Sequence, residues 1–174
     1  IKNKNVKNIS VEYDIETGLF AVENDGGGIP TGYRADIKQY LPEAIATNPF
    51  SGTNLNKDKD RKTGGTNGLG MKLCNLHALR FVMETYDGKN GYHQVFENQM
   101  DIVNPPKITK WEDLKKKDQK MHVRIEFLPN YKELGYEEIT KKQKNTFYYL
   151  CQAMAYQAAA YSDKRVSVKF NDED

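Results

Sequence analysis

The stretch that decides the fold is Thr63-Gly64-Gly65-Thr66-Asn67-Gly68-Leu69-Gly70-Met71-Lys72-Leu73, where a glycine-rich segment runs directly into a helical pattern. Glycine at this density packs nothing and costs backbone entropy, so we expect positive φ angles or close approach of the backbone to a ligand. A helix that starts here presents unpaired N–H groups and the positive end of its dipole, and Lys72 adds a full charge. The stretch therefore predicts a phosphate-binding loop, with an ordinary glycine turn as the alternative.

Two common phosphate-binding motifs do not match this stretch. A Walker A loop would continue Gly70 with a lysine and a hydroxyl residue, but Met71 follows it and Lys72 comes one place late. The dinucleotide fingerprint would need a glycine where Leu73 stands. A nucleotide bound here is expected to be held in a third way.

The composition is that of one globular domain. The chain has 174 residues, of which 38% are hydrophobic and 29% charged. Its 26 basic and 24 acidic side chains nearly balance, so charge gives no argument that this segment itself binds nucleic acid. Cys74 and Cys151 have neither metal-binding nor disulfide spacing, and we expect two free, buried thiols in a reducing compartment. No apolar run is long enough to predict a membrane span, and the start at Ile1 suggests an internal piece of a longer polypeptide.

The first third of the chain predicts a hairpin and a second glycine-rich turn. Residues 8–14 and 19–24 alternate apolar and polar side chains, which indicates two paired strands. They lead into Asn24-Asp25-Gly26-Gly27-Gly28-Ile29-Pro30. A short helix is predicted between Pro42 and Pro49. The polar segment 51–62 has no periodicity and reads as a mobile surface loop, the usual material of a lid.

The remainder alternates between helical and strand patterns. We expect a helix over 69–80, strands at 81–86, 92–102, 121–127 and 166–170, a charged irregular segment at 107–120, and a helix over about 138–161. His122 falls on the polar face of its strand and is expected to be solvated. In the long helix, one apolar stripe is predicted: Phe147, Leu150, Cys151, Met154, Ala155 and Ala158. These elements predict an α+β fold, a mixed β-sheet with helices on one face.

Asp25 suits recognition of adenine. The base presents an amine donor beside a ring acceptor, so a selective pocket needs a carboxylate next to a group that donates. Asp25 supplies the carboxylate, and Thr53 or a water the donor. Such a charge-assisted hydrogen bond contributes about 1.5–3 kcal/mol.

Three motifs carry a family resemblance. They are Glu-Asn-Asp-Gly-x-Gly-Ile-Pro at 23–30, Gly-Thr-Asn at 52–54 and Thr-Gly-Gly-x-Asn-Gly-x-Gly-x-Lys-Leu-Cys-Asn at 63–75. Together they resemble the ATPase domain of eukaryotic-type type IIA DNA topoisomerases, and their spelling is most similar to the enzymes of large DNA viruses. These domains belong to the GHKL ATPase superfamily, with the B subunit of gyrase, the ninety-kilodalton heat-shock chaperones, MutL and histidine kinases. The resemblance covers nearly all of the chain.

The resemblance implies a set of ATP-binding residues. Asn24 and Asp25 would hold the adenine side, and the lid and loop would contact sugar and phosphates. Thr66 and Leu69 stand where many cellular enzymes have Arg and Tyr, which removes one cation and one aromatic ring from the site. The implied cofactor-binding residues are Asn24, Asp25, Gly26, Gly28, Gly52, Thr53, Asn54, Gly65, Thr66, Asn67, Gly68, Leu69, Gly70, Met71 and Lys72.

The resemblance also implies what this segment does not contain. In the family, the general-base Glu and the Mg²⁺-binding Asn lie on a helix upstream of the first strand, and a further lysine comes from the following transducer domain. We therefore assign no catalytic base and no metal ligand here. Residues 1–174 are expected to form one GHKL ATPase domain without that N-terminal helix, the dimerising strap or the transducer domain.

The function that the resemblance implies is the ATP-binding core of an ATP-dependent type II topoisomerase, which passes one DNA duplex through a break in another. The cofactors would be ATP and Mg²⁺, and the partners duplex DNA, contacted through other domains, and a second copy in a homodimer, with no membrane. The location would be intracellular: the nucleus in a eukaryote, the host cytoplasm or virion for a virus. Two alternatives stay open, a chaperone or mismatch-repair clamp of the same superfamily and a scaffold that binds no nucleotide.

Overall fold

The computed structural model describes residues 6–49, 68–116 and 119–172. Its core is an eight-stranded sheet in the order β10-β1-β2-β9-β5-β6-β7, with β8 also paired to β6. The strands are β1 (Asn8–Tyr13), β2 (Phe20–Asn24), β5 (Ala78–Tyr86), β6 (Asn90–Glu97), β7 (Ile102–Val103), β8 (Lys107–Lys110), β9 (His122–Pro129) and β10 (Ser167–Phe170), while β3 (Tyr33–Arg34) and β4 (Gln39–Tyr40) form a separate pair. The helices are α1 (Leu41–Thr47), α2 (Gly70–Leu76) and α3 (Lys141–Tyr161), with a 3-10 turn at Trp111–Asp113.

The sheet is mixed, as predicted. β1 and β2 form the expected antiparallel hairpin, with Val11 opposite Val22, and β10 runs parallel to β1. Because side chains alternate along each strand, the register places Tyr13, Phe20, Phe127 and Phe81 on one face. This row forms the apolar face of the sheet.

The three helices found in the described ranges all lie on that apolar face. α1 and α2 cover a cluster built on Phe81, Met83 and Phe96, whereas α3 covers a second cluster around Tyr13, Cys151 and Phe170. Phe20 and Phe127 stack with their ring centroids 5.0 Å apart, between the two clusters. The expected α+β architecture, with helices on one face of a mixed sheet, is confirmed.

The long helix α3 begins with a capping box. The Thr140 hydroxyl accepts a hydrogen bond from the Gln143 amide, and the Gln143 side chain accepts one from the Thr140 amide, which satisfies two donors of the first turn. The buried stripe of α3 is narrower than predicted. Cys151 and Ala155 are buried, but Leu150 and Met154 are 52% and 59% exposed. The prediction that these two share the buried stripe was wrong, because the helix meets β1 and β10 along an i, i+4 line.

The predicted helix over 69–80 is too long. α2 ends at Leu76, His77 is its C-cap, and Ala78 already begins β5. Leu79 and Arg80, which were predicted to extend the helix, belong to the strand. Pairing of β5 with both β6 and β9 outweighs the local helical spacing there. On α2 itself Leu73 and Leu76 are exposed, and the buried polar side chains are those of Lys72 and Asn75.

Two further segments differ from their predictions. The hairpin partner predicted at 92–102 ends at Glu97, since Asn98, Gln99 and Met100 all take positive φ and break the ladder. The segment 107–120 is not irregular throughout, because Lys107–Lys110 pairs with β6 as β8.

The opposite face of the sheet is polar and carries charged side chains in contact. Arg124 on β9 binds Glu12, Glu23 and Glu126, and His122 is paired with Glu84 rather than only solvated. Within the described ranges, no helix is both long and apolar enough to cross a membrane. Cys74 and Cys151 are free thiols, and burial raises the pKa of both.

Candidate functional site

Two glycine-containing segments border the same part of the core. Ile29, just after the turn that follows β2, and Met71, in the first turn of α2, both pack against the cluster that contains Phe81 and Met83. The structure therefore brings the Asn24–Gly28 motif and the described part of the 63–73 motif to one region of the apolar face.

Gly28 has a reason within the chain to be glycine. Its φ is +72°, and a Cβ on it would lie 2.2 Å from the carbonyl oxygen of Tyr86. No side chain fits there without displacing the backbone of β5. The family resemblance implies that Gly28 binds the nucleotide, and the structure shows that its backbone lies close to the backbone of β5.

Hydrogen bonds fasten the same turn to the end of β5. The Ile29 amide donates to the Thr85 hydroxyl (2.8 Å), which in turn donates to the His122 carbonyl (2.9 Å). The Thr31 amide and hydroxyl both donate to one carboxylate oxygen of Asp87, at 2.9 Å each. The turn is thus held by buried polar contacts and not only by its glycines.

Asp25 lies at the carboxyl end of β2, and its carboxylate is already engaged. One oxygen accepts the amides of Lys7 (2.7 Å) and Asn8 (2.9 Å), and the other accepts the side-chain amide of Asn8 (2.6 Å). Burial works to raise the pKa of Asp25, but these hydrogen bonds together outweigh it and hold that pKa below its usual value. A carboxylate has about four acceptor positions, so one is left for a ligand. The side chain of Asn24 accepts the Gly26 amide at 3.1 Å and shapes the turn.

Among the described residues, none caps the start of α2. Gly68 has a φ of +59°, and the N-cap Leu69 supplies no side-chain acceptor to the first turn. A Cβ on Gly70 would meet no described atom within 4 Å. Packing within the described chain therefore does not require glycine at position 70, and the first amides of the helix have no capping side chain.

Two polar side chains of α2 are buried on one side of the helix. Lys72 is 8% exposed, and its ammonium makes no ion pair with any residue that the structure describes. Burial lowers the pKa of Lys72. Three residues on, Asn75 donates its side-chain amide to the Ala46 carbonyl at 3.3 Å, while its own amide oxygen has no partner in the described chain. Because burying an unpaired cation is costly, an anion bound beside Lys72 would be stabilised by it.

Several predicted residues cannot be placed. The lid predicted at 51–62 and six of the predicted binding residues lie outside the described residues: Gly52, Thr53, Asn54, Gly65, Thr66 and Asn67. Among the parts of the chain that the structure does describe, no three His, Cys, Asp or Glu side chains are grouped so that they could hold a metal ion.

Sequence reasoning missed the two side chains that hold the glycine turn. Thr85 was predicted only as part of the strand at 81–86, and Asp87 was given no role. An aspartate that opens a hairpin turn commonly binds backbone amides, so Asp87 carried a usable signal. No neighbouring residue in the sequence indicated a role for Thr85. Its hydrogen bonds join the turn after β2 to β9, and these segments are far apart in the chain.

Comparison with known proteins shows relatives in sequence and in fold. The chain is 37% identical, over 99% of its length, to "DNA topoisomerase 2" of African swine fever virus, and it spans 14% of that relative. The ATPase region of Saccharomyces cerevisiae topoisomerase II superposes with a TM-score of 0.83 at 30% identity, covering 99% of this chain and 44% of that one. The ATPase and transducer domains of DNA topoisomerase II from Balamuthia mandrillaris superpose with a TM-score of 0.83 at 25% identity, over 99% of this chain and 43% of the other. No protein-family profile matches the chain.

The fold is that of the GHKL ATPase class. Within that class the chain is similar in sequence and fold to the ATPase regions of the type IIA DNA topoisomerases. The family resemblance drawn from the three motifs is confirmed.

Proposed function

We propose that this chain is the ATP-binding core of an ATP-dependent type II DNA topoisomerase. The observation that carries the proposal is the start of α2, where, among the described residues, no side chain caps the first turn, none would meet a Cβ on Gly70, and none forms an ion pair with the buried Lys72. A triphosphate would satisfy both the free amides and the ammonium. The kinship with topoisomerase ATPase regions supports this use of the site over a chaperone or a mismatch-repair clamp.

Different residues would bind different parts of the nucleotide. Asp25 would use its remaining acceptor position for the adenine side, within the turn that Asn24, Gly26 and Gly28 shape. Gly68, Leu69, Gly70 and Met71 would present backbone amides to the phosphates, and Lys72 would pair with phosphate oxygens. The six binding residues outside the described ranges keep the roles that the family resemblance implies.

We also propose that a helix from elsewhere in the natural polypeptide completes the helical layer. Val22 lies on the apolar face between the two core clusters and is 43% exposed, and Leu73 and Leu76 on α2 are exposed too. An uncovered apolar strand position in the middle of a sheet is unusual in a finished domain. The upstream helix of the family, with the general-base Glu and the Mg²⁺-binding Asn, would cover it. The chain would then be one GHKL domain that needs this helix, a strap and a transducer domain for catalysis.

The same proposal covers the cofactors, partners and location of the complete protein. When bound, ATP with Mg²⁺ would supply the triphosphate whose hydrolysis resets a dimer gate, while this chain's residues bind and orient the nucleotide. The complete protein would act on duplex DNA through other domains, as a homodimer, inside the cell: in the nucleus, or in the host cytoplasm or virion if the source is a virus. The charge balance of the chain, 26 basic against 24 acidic residues, is consistent with DNA contacts made elsewhere.

The test uses the complete natural polypeptide. Asp25→Ala should weaken binding of a non-hydrolysable ATP analogue about ten- to a hundredfold, the loss of one charge-assisted hydrogen bond. The wild type should relax supercoiled DNA in an ATP-dependent reaction, with an ATPase rate stimulated by DNA. Unchanged binding by Asp25→Ala would reject the site, and absence of relaxation with intact ATP binding would favour the chaperone or repair-clamp alternative. Calorimetry that detected no analogue binding to the wild type would leave only a nucleotide-free scaffold.

A further inference from the structure

Asp87 joins the glycine turn to the hairpin between β5 and β6. One of its carboxylate oxygens accepts the amide and hydroxyl of Thr31, both at 2.9 Å. The other accepts the amides of Lys89 and Asn90, also at 2.9 Å each. All four hydrogen bonds end on one side chain, so a shift of the hairpin is carried to the turn.

The contact between Asp87 and Thr31 is partly buried and involves a charged group. Thr31 is 4% exposed, and the side-chain amide of Asn90 also donates to its hydroxyl at 3.4 Å. Burial works to raise the pKa of Asp87, but the amides of Asn90, Thr31 and Lys89 outweigh it and keep that pKa below its usual value. The carboxylate is therefore ionised at neutral pH, and hydrogen bonds to an ionised acceptor are the strong ones.

Nothing else on the described chain duplicates this anchor. Thr85 fixes the amide of Ile29, two residues earlier, and Gly28 rests against the Tyr86 backbone. Among the described residues, Asp87 accepts both the amide and the hydroxyl of Thr31, and the Asn90 side-chain amide adds one longer hydrogen bond to that hydroxyl. The hydrogen bonds of Asp87 go to Thr31, Lys89 and Asn90, and none reaches the described residues of α2.

We propose that Asp87 is a positioning residue for the adenine side of the nucleotide site, acting through Thr31 on the turn that carries Asp25. This inference rests on the proposed function and adds a residue to it. Asp87 sets where the turn sits, and it has no part in holding the triphosphate. Its loss reduces the contribution of the base to binding and leaves the contribution of the phosphates.

The experiment separates base from phosphate in the complete natural polypeptide. Binding of a non-hydrolysable ATP analogue is measured by calorimetry, and binding of inorganic tripolyphosphate by competition against a fluorescent ATP analogue. Asp87→Asn keeps the shape and removes the charge. Thr31→Val keeps the shape and removes the hydroxyl. The matched control is Asp14→Asn, because Asp14 caps the β1–β2 turn in the same manner, accepting the Glu16 amide (2.8 Å) and the Thr17 hydroxyl (2.7 Å), at the other end of β2.

We expect Asp87→Asn to bind the ATP analogue about tenfold more weakly, which corresponds to about 1.4 kcal/mol, with less than about a twofold change for tripolyphosphate. Thr31→Val should also weaken binding of the ATP analogue more than binding of tripolyphosphate. The double variant should lose little more affinity for the ATP analogue than Asp87→Asn, since the two side chains share one contact. Asp14→Asn should leave the affinity for both ligands unchanged.

Three results would overturn the inference. Equal weakening of both ligands would mean general damage to the fold, and an unchanged ATP affinity would mean that Asp87 positions nothing. Additive losses in the double variant would show that Thr31 and Asp87 act separately. A wild type that bound neither ligand would instead reject the proposed function on which the inference rests.

Discussion

Glu12 on β1 and Arg124 on β9 are joined by two parallel hydrogen bonds of 2.8 Å each, across the strand β2 that lies between them. The same guanidinium binds Glu126 at 2.8 Å and Glu23 at 3.3 Å. One guanidinium thus contacts three carboxylates on the polar face of the sheet, opposite the proposed nucleotide site, and Glu126 also meets Arg80 at 3.5 Å. This arrangement and three others give testable predictions, for which stabilities are read from amide hydrogen exchange of the named strands in the complete polypeptide.

Replacing Arg124 should destabilise the centre of the sheet. We expect Arg124→Met to cost about 1–2 kcal/mol at pH 7, a modest figure because the side chains of Arg124 and Glu12 are 23% and 37% exposed. The hydrogen bond from Arg124 is the largest influence on Glu12 and holds its pKa below the ordinary 4.5. That stabilisation is complete above pH 4.5 and is lost as the pH falls through the lowered pKa.

The variant should therefore lose less stability than the wild type between pH 7 and pH 3. Arg34→Met is the control, because Arg34 pairs with Asp36 on the surface, where both side chains are more than half exposed. An equal loss in both variants would contradict the prediction.

The His122–Glu84 pair should make the stability of β5 and β9 depend on pH. The two side chains meet at 2.8 Å and are partly buried. Burial works to lower the pKa of His122, but the Glu84 hydrogen bond and the Lys120 carbonyl raise it above the ordinary 6.5, and the hydrogen bond from His122 lowers the pKa of Glu84. The contribution of the histidine is complete below pH 6.5 and is lost as the pH rises through its raised pKa.

We expect the wild type to exceed His122→Gln by about 1 kcal/mol at pH 6, with the difference shrinking towards pH 9. His77→Gln serves as the exposed control, since His77 meets Glu133 only at 3.4 Å. A difference of the same size at both pH values would count against the pair.

Gly28 should tolerate no side chain. Because its φ is +72° and a Cβ would lie 2.2 Å from the Tyr86 carbonyl oxygen, Gly28→Ala is expected to cost about 2–3 kcal/mol and to weaken nucleotide binding. Gly32 is four residues away, and a Cβ there meets nothing within 4 Å. Gly32→Ala should stay within about 0.5 kcal/mol of the wild type, and similar losses at both positions would disprove the steric explanation.

Replacing Gly70 should affect nucleotide binding but should not lower stability. Alanine is the better helix former and meets no described atom there, so Gly70→Ala should leave the stability of α2 unchanged or raise it by up to about 1 kcal/mol. If phosphates approach the helix backbone as proposed, the same change should weaken binding of the ATP analogue by about tenfold or more. Full affinity in a stable variant would show that no ligand comes close to Gly70.

Much of the fold was readable from local patterns. The hairpin of β1 and β2, the helix between Pro42 and Pro49, and the long helix α3 all formed near their predicted bounds, because period and capping residues act over a few neighbours. Leu79 and Arg80 were assigned to a helix and lie in β5, since strand pairing with distant segments decided them. The same holds for β8, which forms only because β6 offers it an edge.

The sequence by itself determined the family resemblance and the two glycine-rich motifs, and it singled out Asp25 and Lys72 as predicted binding residues, since these depend on residue identity and short spacing. Only the tertiary structure decided that Gly28 is fixed by the Tyr86 backbone, that Asp87 anchors Thr31, and that Lys72 is buried without a counter-charge in the described chain. These contacts join residues more than fifty positions apart or depend on burial, and both arise only when the strands pair and the helices pack.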